Sequence, residues 1–217
     1  MGGDRAETMM RKERPGAKRA AIAIGGSAGS TAALIALLEC LPEDYPLALI
    51  VVTHVHPEHG ASRLDVLGRV SNMPVKEAED KEKILPGRVY LAPPNYHLLI
   101  EDDLSFSLSY DEKVRFSRPS IDVLLESAAD AFGDRLIGVI LGGANDDGAR
   151  GMRRIRERGG LTIAQDPAGA ECPDMPKAAI DSGGAERIMT VSDICDFLSE
   201  LGRKYKQDDA TKGMRLG

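Results

Sequence analysis

The sequence predicts an α/β fold: a doubly wound, largely parallel sheet with helices on both faces and an antiparallel excursion at one edge. Three observations point to it. Apolar runs such as AAIAIG, LALIVV and RLIGVIL alternate with segments of helical period, the pattern of strand–helix–strand units. These runs are apolar at successive positions, as expected of strands buried on both faces. Two of them end in glycines followed by small polar residues, GGSAGS and GGANDDG, just before a helical pattern. In parallel sheets such turns hold side chains up at the carboxyl ends of strands.

Taken in order, AAIAIG is a strand, followed by a helix from about Ser30 to Leu41 that Pro42 ends, and LALIVVTH is a second buried strand. GASRLDVLGRV has the period of a short helix. VKEAED, GRVYLAP, YHLLIED and LSFSLSY then read as short strands separated by turn residues, and these form the expected antiparallel excursion. Helix returns at PSIDVLLESAADAF, with Pro119 suited to its first turn. RLIGVILGG is a strand, NDDGARGMRRIRERGG a helix ending in glycines, LTIAQD a strand and MPKAAIDSG a short helix. ERIM and the following segment give a strand and a last helix, with Ser192 as its expected N-cap.

Residues 1–18 lack apolar periodicity and read as a flexible tail or linker remnant, 19–203 as one folded domain, and 204–217 as a flexible polar tail. With 42% hydrophobic and 29% charged residues the chain falls in the globular class. A formal charge of -6 and the absence of tryptophan argue against nucleic acid and anionic membranes as partners. Cys40, Cys172 and Cys195 are far apart and form no C-x-x-C pair, so neither a disulfide framework nor a zinc knuckle is expected. No apolar run approaches the ~18 residues of a membrane span, and no signal-peptide pattern is seen, so a cytoplasmic location without membrane insertion is expected.

The turn GGSAGS admits two uses. Gly25, Gly26 and Gly29 approximate a dinucleotide fingerprint, but the next strand ends in Thr53 and His54 where a ribose-binding acid is expected, and no Gly-Lys-Ser/Thr follows for a P-loop. The same residues satisfy G-x-S-x-G with Ser27 at the centre, the strand-to-helix bend that exposes a nucleophilic serine. The plain alternative is that Ser27 only caps the helix.

A base and an acid at neighbouring strand ends decide between these uses. His54 closes the second strand and, with strands ~4.8 Å apart, falls within side-chain reach of Ser27. The usual serine–histidine pairing puts Nε2 about 2.6 to 3.2 Å from the serine oxygen. His54, His56 and His59 could instead group around a metal, but no H-E-x-x-H spacing supports that, and Pro57 breaks the strand. The loop after RLIGVILGG presents Asp146 and Asp147, either of which could orient His54 or simply cap the next helix.

The constellation resembles the CheB family, the chemotaxis protein-glutamate methylesterases, from about Ala20 to Leu201. The stretches that carry the resemblance are IGGSAGS, VVTHVHP, VKEAEDKEKILPGRVYLAPPNYHL, SRPSIDVLLESAA, GVILGGANDDGARGM and AQDPAGAECPDMPKAAI. It implies Ser27 as nucleophile, His54 as base, Asp147 rather than Asp146 as the orienting acid, and the backbone N–H groups at Ala28 and Ala144 as oxyanion donors. Arg118 becomes a candidate substrate contact. The implied substrates are glutamate γ-methyl esters of methyl-accepting chemoreceptors, with receptor glutamine deamidation as a related activity, and no metal or organic cofactor. Ala28 stands where the family commonly has threonine and Ala144 where methionine is frequent, which leaves an idle regulatory or scaffold domain as the alternative, with nucleotide binding a more distant one. Typical members also carry an N-terminal receiver domain of roughly 120 residues that residues 1–18 could not form, so regulation through a separate response-regulator or chemosensory partner is expected.

Overall fold

The computed structural model describes residues 21–54 and 60–213; the 1–18 segment, His56 and His59 lie outside the described residues. In chain order the elements are β1 (Ala21–Gly26), α1 (Thr31–Glu39), β2 (Ala48–Thr53), α2 (Gly60–Val70), β3 (Val75–Glu77), β4 (Val89–Leu91), β5 (His97–Ile100), β6 (Phe106–Ser109), α3 (Ile121–Phe132), β7 (Leu136–Ile140), α4 (Ala149–Glu157), β8 (Leu161–Gln165), α5 (Asp174–Asp181), β9 (Arg187–Met189) and α6 (Val191–Gly213).

Seven strands form one parallel sheet in the order β3-β4-β2-β1-β7-β8-β9. From β1 the chain winds outward through β2 and beyond, then returns to place β7 on the other side of β1. That reversal creates a switch point, where the connections diverge and leave a crevice at the carboxyl ends of the strands.

Successive residues of the central strands divide between two cores. Ala21, Ala23, Ala48, Ile50 and Val52 meet α3, α4 and α5 through Leu124, Leu125, Met152, Ile155, Met175 and Ala179. Ile22, Ile24, Leu49, Val51, Ile137 and Val139 meet α1, α2 and α6 through Leu34, Leu37, Leu67, Ile194 and Leu198. The alanines of β1 lie on the α3 side, and Gly25 continues the row. A Cβ at Gly25 would sit 2.4 Å from Ile121 Cγ2 and 2.8 Å from Ile140 Cδ1. Gly25→Ala is therefore expected to cost about 1–3 kcal/mol by overpacking. For a domain of this size that lowers the melting temperature by roughly 2–4 °C per kcal/mol, as read by calorimetry.

The region expected to be antiparallel divides differently. Among the named strands of the described residues, β5 and β6 pair antiparallel, as a separate two-stranded sheet with β5 against α3, and an isolated antiparallel bridge joins Lys83 to Ser105. β3 and β4 join the main sheet in parallel. The 78–88 connection is long enough to carry the chain back to the starting end of the sheet, so a crossover replaces a hairpin. Two helix starts also differ from expectation. α3 begins at Ile121 with Ser120 as N-cap, leaving Pro119 outside the helix. At α6, Thr190 rather than Ser192 serves as cap: Thr190 Oγ1 accepts from Asp193 N–H at 3.2 Å while Asp193 Oδ2 accepts from Thr190 N–H at 3.3 Å, a reciprocal capping box. The same helix runs through Gly213, past Arg203 where a tail was expected to begin. The Lys204–Glu200 pair along the helix and the Lys206–Asp44 pair across to the 42–45 turn lie in this extension.

Candidate active site

Parallel register brings three strand ends together. Gly26 pairs with Thr53, and Gly25 with Ile140, so the residues after β1, β2 and β7 leave the sheet side by side. Ser27 N–H donates to Gly142 O at 2.8 Å and His54 N–H to Gly26 O at 3.3 Å, carrying the ladder slightly past the strands. The bend after Ser27 needs Gly29, whose φ is +72° and whose Cβ would sit 2.7 Å from that of Glu171. Ser27 is not the helix cap. Its carbonyl accepts from Ser30 N–H at 3.0 Å and Ser30 Oγ–H at 2.7 Å, leaving its hydroxyl for another partner.

That partner is His54. Nδ1 lies 3.1 Å from Ser27 Oγ and Nε2 lies 2.8 Å from Asp147 Oδ2. The ring is thus turned relative to the expected Nε2–serine pairing. The cause is strand order: β1 lies between β2 and β7. From the end of β2, the near nitrogen meets the adjacent serine while the far nitrogen spans to the loop beyond it. In the neutral tautomer that this arrangement favours, Nε2–H donates to Asp147 and the Nδ1 lone pair accepts the Ser27 hydroxyl proton.

Asp147 is fully buried, with 0% side-chain exposure, against 13% for His54. Besides His54, its carboxylate accepts from Ser120 Oγ–H at 3.0 Å, Ile121 N–H at 2.8 Å and Asp122 N–H at 2.9 Å. The last two are free donors of the first turn of α3, so the helix directs its positive end at the acid. Burial pushes the Asp147 carboxyl up, but the His54 bond and the Asp122 and Ile121 N–H groups outweigh it, and the net direction is below the usual carboxylate range. Asp122 next to it goes the other way: burial first, and the Asp147 charge among the further causes, hold its carboxyl above that range.

These two shifts have opposite consequences for stability. The Asp147 contribution is present above the unfolded carboxylate value of about 3.9 and is lost as pH falls through its lowered folded value. The Asp122 contribution is full below about 3.9 and declines as pH rises through its raised folded value. Urea midpoints measured across pH should therefore fall less on acidification in Asp147→Asn, and decline less above about pH 4 in Asp122→Asn, than in the parent.

Of the remaining predicted residues, Ala28 and Ala144 are exposed at the mouth of the same crevice. Among the described residues their N–H groups donate to no acceptor. Neighbouring groups hold the loop that carries Ala144: Gly142 N–H donates to Gln165 Oε1 at 2.9 Å and Gly143 N–H to Cys172 O at 2.8 Å. Arg118 is placed differently. Its Nη1 donates to Tyr110 O at 3.0 Å and Asp111 O at 2.8 Å, and its guanidinium lies 3.7 Å from the centre of the Tyr110 ring. These contacts tie Arg118 to the loop before α3. Asp146 pairs with Arg115 and does not reach His54.

Three residues at the site escaped sequence reasoning. Ser120 bonds Asp147, and buried His97 accepts from Ser120 N–H at Nδ1 (3.1 Å) while Nε2–H donates to Glu112 O (3.0 Å). Asp122 is the third. The signal for Ser120 and Asp122 was the S-x-x start of an amphipathic helix, which marks a cap but not what the cap faces. Among the described residues, no group of three or more His, Cys, Asp or Glu side chains could hold a metal, and no helix is long and apolar enough to cross a membrane.

Known proteins share this arrangement of strands. The family model described as CheB methylesterase matches residues 22–198. A putative protein-glutamate methylesterase/protein-glutamine glutaminase of Leptospira interrogans is 45% identical over 181 residues, covering 83% of this chain and 94% of that protein. A protein-glutamate methylesterase/protein-glutamine glutaminase of Carboxydothermus hydrogenoformans is 40% identical over 186 residues, covering 83% of this chain but 55% of that one. The chain thus spans nearly all of one relative and about half of another. The crystal structure of the Thermotoga maritima CheB methylesterase catalytic domain superposes with a TM-score of 0.81 at 34% identity, covering 84% of this chain and 98% of that one. With the family model and these relatives each covering most of the folded part, the chain belongs to the CheB methylesterase family.

Proposed function

We propose that the protein is a serine carboxylesterase that hydrolyses glutamate γ-methyl esters on methyl-accepting chemoreceptors, with glutamine deamidation as the related reaction. The observation that carries this is the continuous hydrogen-bond chain Ser27–His54–Asp147 in a member of a methylesterase family. His54 Nδ1 takes the Ser27 proton as Oγ attacks the ester carbonyl, and Asp147 stabilises the imidazolium that forms. The tetrahedral oxygen is held by the N–H groups of Ala28 and Ala144, which among the described residues have no acceptor to give up. Collapse expels methanol, protonated by His54, and leaves Ser27 acylated by the glutamyl side chain. Water, deprotonated by His54, attacks the acyl carbon, and His54 returns that proton to Ser27 Oγ as it leaves, which gives the glutamate product and restores the free enzyme. A backbone oxyanion contact tolerates alanine at both positions, so the departures at Ala28 and Ala144 are compatible with turnover. Such receptors signal to the cell interior, and on this reading the enzyme acts in the cytoplasm.

Methanol release from a methylated receptor fragment tests the reading. Release that tracks enzyme concentration is expected; a methylated receptor left intact while the enzyme is folded would contradict it.

A further inference from the structure

We propose that Asp122 is a positioning residue of this site, capping α4 from the neighbouring helix and thereby fixing the turn that aims the Asp147 carboxylate at His54; the inference rests on the triad reading above. The need for it begins in the backbone. Gly148, directly after Asp147, is the N-cap of α4 and has a φ of +97° with no side-chain cap bond. A Cβ there would sit 2.6 Å from Ile140 Cδ1 and 2.8 Å from Ile121 Cγ2, so the position is closed to the Ser, Thr, Asp or Asn that would ordinarily cap the helix.

Asp122 supplies the missing acceptor. Its Oδ1 accepts from Gly148 N–H at 3.0 Å and Gly151 N–H at 2.8 Å, the latter being the third residue of α4, whose N–H an N-cap side chain ordinarily takes. Its own backbone N–H donates to Asp147 Oδ1 at 2.9 Å. One residue of α3 therefore grips the turn on both sides of Gly148, through the carboxylate before it and the amides at and after it. Close approach of the helices makes this possible: a Cβ at Gly151 would lie 2.4 Å from Leu125 Cβ.

Among the described residues the second oxygen makes only long ion-pair contacts and no hydrogen bond. Asp122 Oδ2 is buried without a hydrogen bond, with Arg115 Nε at 3.7 Å and Arg150 Nε at 3.9 Å. Those arginines pair instead with Asp146 and Glu126. An amide would lose little on that side and keep a carbonyl oxygen for the two glycines.

The test compares Asp122→Asn, Asp122→Ala and Ser27→Ala in the whole protein, reading kcat and KM for methanol release, thermal melting, and the downfield proton resonance of the His54 Nε2–H bond. Asp122→Asn should keep kcat within about threefold and retain the resonance. Asp122→Ala should lower kcat about 10²-fold with KM unchanged, the scale expected when a catalytic group is displaced by ~1 Å, and lose the resonance while remaining folded. An unchanged kcat in Asp122→Ala, or an equal loss in both Asp122 variants, would overturn the proposal. Should Asp122→Ala melt below the assay temperature, Asp122→Asn decides: retained kcat and resonance support the cap, and loss of either overturns it. Methanol release persisting in Ser27→Ala would instead mark failure of the triad reading itself.

Discussion

Ser27→Ala is expected to lower methanol release by on the order of 10⁶-fold, the scale seen when a serine hydrolase loses its nucleophile. The size follows from covalent catalysis: without Oγ there is no acyl intermediate, and His54 has no hydroxyl to deprotonate. What remains is the modest acceleration that oxyanion donors give a directly attacking water. Folding should be nearly untouched. Among the described residues the Ser27 hydroxyl bonds only His54, whereas the bonds that shape the turn run through the Ser27 backbone to Ser30 and Gly142. A variant that melts with the parent and has lost its turnover separates chemistry from structure. A variant that releases methanol at a tenth of the parent rate would place the nucleophile elsewhere.

Asp147→Asn is expected to cost about 10⁴-fold in kcat, the scale of losing the acid that sets the histidine tautomer. The Asp147 carboxylate receives four donors: His54 Nε2–H, Ser120 Oγ–H, and the N–H groups of Ile121 and Asp122. An amide cannot accept from all of them, because its NH₂ must face at least one. If the NH₂ faces His54, Nε2 becomes the acceptor and the proton moves to Nδ1, pointing at Ser27, so the base is gone. If it faces the start of α3, a buried N–H loses its acceptor, at about 1–3 kcal/mol. Loss of kcat with a lowered melting temperature is the joint expectation, measured by steady-state kinetics and calorimetry on the same preparation. Full activity in Asp147→Asn would mean that the carboxylate does not set the tautomer.

Much of this was legible in the sequence because parallel strands turn linear order into spatial order. AAIAIG and LALIVVTH are apolar enough to be central strands, and their ends at Ser27 and His54 then had to be neighbours. The glycines of GGSAGS did not by themselves separate phosphate binding from a nucleophile turn; His54, where a dinucleotide site wants an acid, favours the nucleophile turn. Two kinds of information were missing. Ring orientation depends on which strand lies between the base and the acid, and sheet order cannot be read from the run of apolar segments, so the Nδ1–serine pairing emerges only from β1 lying between β2 and β7. Contacts across helices are equally hidden. Arg118 came only as a candidate substrate contact, and nothing in the sequence signals that its Nη1 donates to Tyr110 O and Asp111 O. Asp122 drew no reading at all, because nothing in its own helix shows that its carboxylate accepts from the start of α4. The 75–91 region misled for a related reason: strands of three residues carry too little pattern to reveal whether they pair parallel or antiparallel.

The most direct test of the central claim is the position of a covalent adduct. Treated with a serine-reactive fluorophosphonate and mapped by peptide mass spectrometry, the protein should carry one adduct, on Ser27, and His54→Ala should form it far more slowly. An intact Ser27 after prolonged exposure of the folded protein, or labelling that proceeds equally fast without His54, would contradict the assignment of Ser27, His54 and Asp147 as a working triad.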